Sequence, residues 1–301
     1  PDLTGGGTSG PYAFFYSLVS LENPEGEVVS KNNLLIDNVS EKLTGTLDCS
    51  GKGFWVITSH VSEEIFYSYH VTSAGVNATP IISKFNHPIV NPSAGGMKIS
   101  PNRTKLAVAH AFNSPCVVLL DFNAETGAVT NYKPLTEGLN FYSASFVSYS
   151  PDNSKLYTTI NKNSQSRSSI YQFDLNKLDS INKEEYMTSL DSDGVGLQLA
   201  SDGKIYVCYP NRPQLGVIEK PNLPREECSC KLDTVKLFGW PQVGLPNFMD
   251  YIFNQPPPGP NPLAWCTPPP PPPPHAVAFS DSGCIGSTLK FTDLSTLKPT
   301  K

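Results

Sequence analysis

Five histidines, His60, His70, His87, His110 and His275, are the chain's most apparent proton-transfer groups. An imidazole titrates near neutrality, which suits it to general acid–base work or to holding a metal ion. His60 and His110 stand near the ends of two similar runs, "FWVITSH" and "TKLAVAHA", at corresponding places. Two imidazoles on neighbouring units could converge on one face. The matching runs "SKLYTTI" and "KIYVCYP" have Asn161 and Pro210 near that place, so no ring of ligands forms. The expectation is that His60 and His110 are polar residues at strand ends with no ligand or proton-transfer role. "DSDG", residues 191–194, has residue types that bind calcium but lacks the loop that ends in a bidentate Glu, and reads as a turn. No G-x-S-x-G, H-E-x-x-H or phosphate-binding loop occurs. The residues therefore predict no catalytic group, no metal and no cofactor.

Seven cysteines leave the redox compartment open. Cys49, Cys116 and Cys208 lie singly in strand-like runs and read as small buried apolar residues. Cys228 and Cys230 form a "CSC" in a loop, while Cys266 and Cys284 flank a proline tract. A lone Cys-x-Cys without a second ligand pair does not make a zinc site. In a secreted protein these four are disulfide candidates, with their pairing open.

The elements that must position any site are visible as a repeat. Ser50-Gly51-Lys52-Gly53 precedes "FWVITSH", Ser100-Pro101-Asn102-Arg103 precedes "TKLAVAHA", Ser150-Pro151-Asp152-Asn153 precedes "SKLYTTI", and Ser201-Asp202-Gly203 precedes "KIYVCYP". Before each turn stands a short run: "LTGTLDC", "GGMKI", "SASFVSY", "VGLQLA". After each second run comes a third: "EIFYSYHV", "CVVLLDF", "SSIYQFDL", "QLGVIE". Pro presets φ, Asp and Asn bond to the local backbone, and Gly tolerates positive φ, so these are turns. The β-branched and aromatic runs alternate with period two, as half-buried strands do. A strand-rich unit of roughly fifty residues predicts a β-propeller blade of about four strands; the alternative is a β-sandwich.

Composition agrees with an all-β chain. Charged residues are 16% of the total, against 29 prolines and 22 glycines, a profile of short strands and many turns. A formal charge of −5, with no Lys/Arg stripe, argues against nucleic acid. No apolar run is long enough for a membrane span. The first residues show no basic-then-apolar leader, so the expectation is a chain from which any signal peptide is already gone.

The chain divides into an expected propeller over 1–254, a proline-rich linker over 255–274 and the start of a further β domain over 275–301. Seven consecutive prolines, Pro268 to Pro274, favour a semi-rigid polyproline II spacer. "FFYSLVSLENPEGEVV", residues 14–29, matches the third-run pattern, so the chain is expected to enter mid-blade. "GLPNFMDYIF", 244–253, reads as a lone strand. These part-blades either share one sheet in a ring of about five blades or belong to a longer propeller.

Two stretches resemble a known family. "GLQLASDGKIYVCYPNRPQLGVIEKPN", followed by "GLPNFMDYIF" and a proline linker, is similar to large surface proteins of the Bacteroidetes. Those proteins carry a WD40-like N-terminal propeller, PKD-type immunoglobulin-like repeats and a C-terminal sorting domain for type IX secretion. "GKGFWVITSHVSEEIFYSYHVTSAGV" resembles their earlier blades, and "SGCIGSTLKFTDLST" the opening of a PKD-type repeat. The resemblance implies a cell-surface or secreted protein, exported by the type IX machinery, of the kind associated with gliding motility. It also implies O-glycosylation at Asp-Ser/Thr-apolar sites, which Ser180 and Thr234 fit. The expected function is a non-catalytic binding or adhesion module for a protein or glycan ligand. A structural partner of the secretion or gliding apparatus and a propeller hydrolase or lyase are the alternatives.

Overall fold

The computed structural model describes residues 12–88, 94–111, 115–139, 141–163, 168–178, 184–189, 195–208, 210, 212–242, 244–252, 278–280 and 291–293, with backbone alone at 88, 184–189, 278–280 and 291–293. Four antiparallel sheets follow one another along the chain. The first holds β1 (Tyr12–Ser20), β2 (Glu27–Leu47), β3 (Phe54–His60), β4 (Glu63–Thr72), the two-residue β5 (Gly75–Val76) and β6 (Ile81–Pro88). The second holds β7 (Met97–Ile99), β8 (Lys105–Ala109), β9 (Val117–Phe122) and β10 (Val129–Pro134). The third holds β11 (Ser143–Tyr149), β12 (Lys155–Asn161), β13 (Ser169–Asp174) and β14 (Glu184–Ser189). The fourth holds β15 (Gly196–Leu199), β16 (Ile205–Cys208), β17 (Gln214–Ile218) and β18 (Cys230–Lys236). The expected first, second and third runs are the first three blade strands of each sheet, and a fourth strand completes each one.

Neighbouring sheets pack face to face: β2 meets β7, β11 meets β7 and β8, and β15 meets β11 and β12. The described residues thus form a β-propeller-like array of four blades. Strand alternation explains why the middle blades read as continuous apolar runs. In β8, Leu106 and Val108 face the first blade with Trp55, Ile57 and Phe66. Ala107 and Ala109 face the third blade with Val147, Leu156 and Phe173. Val118 and Leu120 of β9 point one way, Val117 and Leu119 the other. A strand covered on both sides needs apolar residues at every position.

The repeated turn is one structure used four times. Gly51, Arg103, Asn153 and Gly203 all have positive φ, at 71°, 62°, 65° and 75°. Each donates its N–H to the carbonyl three residues back, on Asp48, Ser100, Ser150 and Ala200. The first turn therefore starts at Asp48, two residues before the Ser50 expected from the sequence. The first three turns are also bonded to one another, and the third is bonded to a separate loop of the fourth blade that follows β17. Arg103 donates to the Asp48 carbonyl at 2.9 Å, the Asn102 N–H to Asn153 Oδ1 at 2.9 Å, and the Asp152 N–H to Asn222 Oδ1 at 3.3 Å. An arginine at positive φ costs about 1 kcal/mol or more, and its buried bond to the preceding blade offsets that strain.

Two sequence expectations are corrected. Residues 14–29 are not the remnant of a separate blade. "NPEG" is a tight turn, with Gly26 at φ 74° donating to the Asn23 carbonyl, and β1 pairs with the first half of β2. The second half of β2 runs on into the first blade and pairs with β3. The hairpin folds over that blade's outer face, setting Phe14, Leu35 and Ile36 against Val39, Ile65, Tyr67 and Tyr69. Periodicity reveals a strand but not its partner. Residues 244–252 form no strand either; they carry no strand pairing, turn locally where the Phe248 N–H meets the Pro246 carbonyl, and end in a 3-10 turn at Asp250–Ile252. Near the C-terminus β19 (Ala278–Ser280) and β20 (Phe291–Asp293) pair antiparallel. The proline tract lies outside the described residues.

Candidate functional site

The inner strands of the blades surround a cavity of about 680 Å³. Glu41, Lys42 and Leu43 of β2 line it, with Met97 and Lys98 of β7, Ser143, Ser145 and Phe146 of β11, and Leu197 and Gln198 of β15. Tyr142, Asn161 and Asn163 stand along the same wall. The remaining wall is a strap, residues 244–252, which supplies Leu245 and Asn247.

The strap is held mainly by polar contacts. Asn247 Nδ2 donates to the Leu43 carbonyl at 2.5 Å. Lys98 Nζ donates to the Phe248 carbonyl at 2.9 Å, to Gln198 Oε1 at 2.8 Å and to Asp250 Oδ1 at 3.3 Å. Gln198 Nε2 donates to the same Asp250 oxygen at 2.9 Å. Just before the strap, the Gln242 carbonyl accepts from Cys208 Sγ at 3.0 Å. Asp250 and Lys98 are both buried. Desolvation pushes the Asp250 carboxyl up and the Lys98 ammonium down, against the attraction between them.

Beside the cavity lies a buried charged group that the sequence reading passed over. Lys42 is 2% exposed, and desolvation lowers its pKa to about 8 despite the nearby Glu41 and Glu64 carboxylates. Behind it, His110 Nε2 stands 2.9 Å from Glu64 Oε1, at ion-pair distance but off the hydrogen-bond direction. Burial holds His110 below its ordinary value, opposed by Glu64 and reinforced by the Lys42 charge. Glu41 also lines the cavity and accepts the Gly95 N–H at 3.1 Å.

His60 and His110 do not converge. His60 Nδ1 accepts the Ser62 N–H at 3.2 Å near exposed Glu63, while His110 is buried against Glu64. Successive residues of β4 point to opposite faces, so the two carboxylates draw apart the environments of the two histidines. His70 pairs with Asp48 at 3.0 Å and stacks on Trp55, and His87 stacks on Tyr132. His275 lies outside the described residues. Of the aromatics on β3 and β4, Trp55 and Phe66 pack between the first two blades, and Tyr67 and Tyr69 under the hairpin.

The cysteines also differ from expectation. Cys228 and Cys230 are free thiols, and both pack in the apolar cluster between the third and fourth blades. Burial pushes both thiols up, with Cys230 reaching about 12. Cys49, expected as a simple buried apolar residue, is disulfide-bonded. Cys116 and Cys208 are buried and free as expected. Cys266, Cys284, Ser180 and the "DSDG" stretch lie outside the described residues. Thr234 is exposed on β18.

No known family pattern matches the chain, and no curated protein matches it. Several solved structures are similar at low identity. One is a Bacteroides uniformis protein provisionally named a 6-phosphogluconolactonase, at 13% identity and TM-score 0.49, covering 77% of this chain and 68% of that one. A Lactobacillus plantarum protein matches at 14% identity and TM-score 0.47, covering 76% and 66%. The periplasmic gluconolactonase PpgL of Pseudomonas aeruginosa matches at 13% and 0.42, covering 71% and 60%. The chain thus spans about two thirds or less of these proteins' lengths. The expectation of a non-catalytic, non-enzymatic adhesion module is corrected on two findings. Two of the similar structures bear enzyme names. This chain also carries a substrate-sized cavity with a weakly basic buried lysine in its wall.

Proposed function

We propose that the chain is a propeller hydrolase whose reaction takes place in the cavity between the inner strands. The observation that carries this reading is Lys42, an amine in the cavity wall whose pKa is lowered to about 8. A proton-transfer group works best when its pKa lies near the working pH, and burial is the usual means of bringing lysine there. Lys42 in its neutral form would take a proton from a water attacking a carbonyl carbon. Ser143, Ser145 and Asn247 offer hydroxyl and amide groups to the substrate from the facing walls. Small esters and lactones are the substrates that fit this chemistry, and lactones are the class named by two of the similar structures.

Hydrolysis of a panel of lactones and p-nitrophenyl esters, followed by acid release, tests the reading. The expected rate rises with pH through about 8 and is lost in Lys42→Met. Turnover that is the same in Lys42→Met, or no turnover on any member of the panel, would overturn it.

The surroundings of the enzyme are proposed from the sequence resemblance alone. The stretch similar to the Bacteroidetes surface proteins covers the fourth blade and the strap. It supports an extracellular, cell-surface or secreted location, export through the type IX machinery and a PKD-type domain after the linker. It also supports O-glycosylation at Ser180 and Thr234.

A further inference from the structure

We propose that the strap is a releasable wall of the cavity, and that Lys98, Gln198 and Asp250 form the latch that holds it. Three observations lead there. First, single polar bonds fix the strap to the blades, and none of its large side chains is fully buried: Phe248 and Ile252 are 45% and 43% exposed, and Leu245, Met249 and Tyr251 are half-buried. A segment with few buried apolar contacts lies at the low end of local stability. Second, the latch joins three elements distant in sequence: Lys98 on the second blade, Gln198 on the fourth, and Asp250 on the strap. A buried charge pair is strongly disrupted when one partner is removed, because the other is left uncompensated. Third, Leu245 and Asn247 belong to both the strap and the cavity. Freeing the latch therefore changes the cavity from walled to open on that side, and with it which substrates are held. This last step rests on the cavity being the working site.

The molecule contains its own reporter. Cys208 is buried, and its Sγ lies 3.0 Å from the Gln242 carbonyl and 3.7 Å from that of Gly244. Cys116 and Cys228 are buried between blades instead, so they report loosening of the whole array. Alkylation by N-ethylmaleimide, located by mass spectrometry, would be compared in the wild type, Lys98→Met and Asp250→Asn. Should those variants fail to fold, Asn247→Ala removes the Leu43 bond and leaves the buried pair intact. The expected result is Cys208 labelling at least about tenfold faster, with Cys116 and Cys228 unchanged. Unchanged Cys208, or equal acceleration at all three cysteines, would overturn the latch. The outcome does not depend on turnover, so an absent hydrolase and an absent latch are told apart. If hydrolysis is found, the latch variants should raise KM more than they lower kcat.

Discussion

Gly127 offers a quantitative test of how the first two blades meet. It has φ 76°, and a Cβ placed there would lie 2.5 Å from Trp55 Cζ3 and 2.7 Å from Cε3 and Cη2. Trp55 is 5% exposed and donates its indole N–H to the Ala124 carbonyl at 2.9 Å, so the ring is pinned from both sides. Gly127→Ala then incurs two separate penalties. The left-handed backbone costs an L-residue about 1–2 kcal/mol, and overpacking a filled interface costs about 1–3 kcal/mol. Urea unfolding should show a loss of about 2–5 kcal/mol. The two parts can be separated with Trp55→Phe, which removes the benzo half of the indole that contains all three clashing atoms. In that background Gly127→Ala should cost only the backbone part, giving a coupling of about 1–3 kcal/mol. Cost within about 0.5 kcal/mol of zero, or additivity to that margin, would mean that the blades do not pack as described.

His60→Ala should leave stability within about 0.5 kcal/mol of the wild type, because its partner lies at the surface. His110→Ala should cost about 2–4 kcal/mol in urea unfolding, through the cavity left and the stranded Glu64; equal effects would refute their separation by β4. Asp48 gives a pH signature. Desolvation raises its carboxyl, but hydrogen bonds from Ser50, His70 and backbone N–H groups outweigh that and hold it below 3.8. A depressed carboxyl contributes stability above its unfolded value and loses it as pH falls through the folded one. Thermal melting from pH 6 downward should therefore show a steeper acid decline for the wild type than for Asp48→Asn, and parallel curves would contradict the assignment.

The parts legible in the sequence are those where local chemistry and tertiary context agree. The four turns carry Pro, Asn, Asp or Gly where a tight turn needs them, and the strands after them carry apolar residues suited to burial. The failures are equally physical. In β2 the polar set Ser40, Lys42, Thr44 and Thr46, continued by Asp48 just past the strand, is buried, while Leu43, in the alternate set, is 41% exposed. An alternation rule applied to "SEKLTGTLD" assigns the faces the wrong way round and hides Lys42. The available signal was a strand whose whole alternate face is polar yet contains a lysine, which suggests a polar interface between blades. Glu64 was hidden beside Glu63, since two adjacent acids look alike until a strand sends them to opposite faces. The strap escaped because its contacts are made by single side chains across long sequence separations, which leave no periodic trace.

The bonds from turn to turn imply a direction in which the array comes apart. Stacked repeats that touch only through their faces can fray from either end, one unit at a time. Here neighbouring turns, and the Asn222 loop of the fourth blade, also supply hydrogen-bonding groups that the next turn needs, so a departing blade leaves an unsatisfied donor or acceptor behind. The links are unequal. The one from Arg103 to the Asp48 carbonyl is buried, that from Asn102 to Asn153 is partly buried, and that from Asp152 to Asn222 is exposed. Water can replace the last at little cost and the first only at a large one. The turn edge of the fourth blade should therefore loosen first, while the buried bonds from Tyr157 to the Pro221 carbonyl and from Thr159 to the Val195 carbonyl hold its interior. The strap, held also by Lys98 and the Leu43 carbonyl, would lose only its Gln198 anchor.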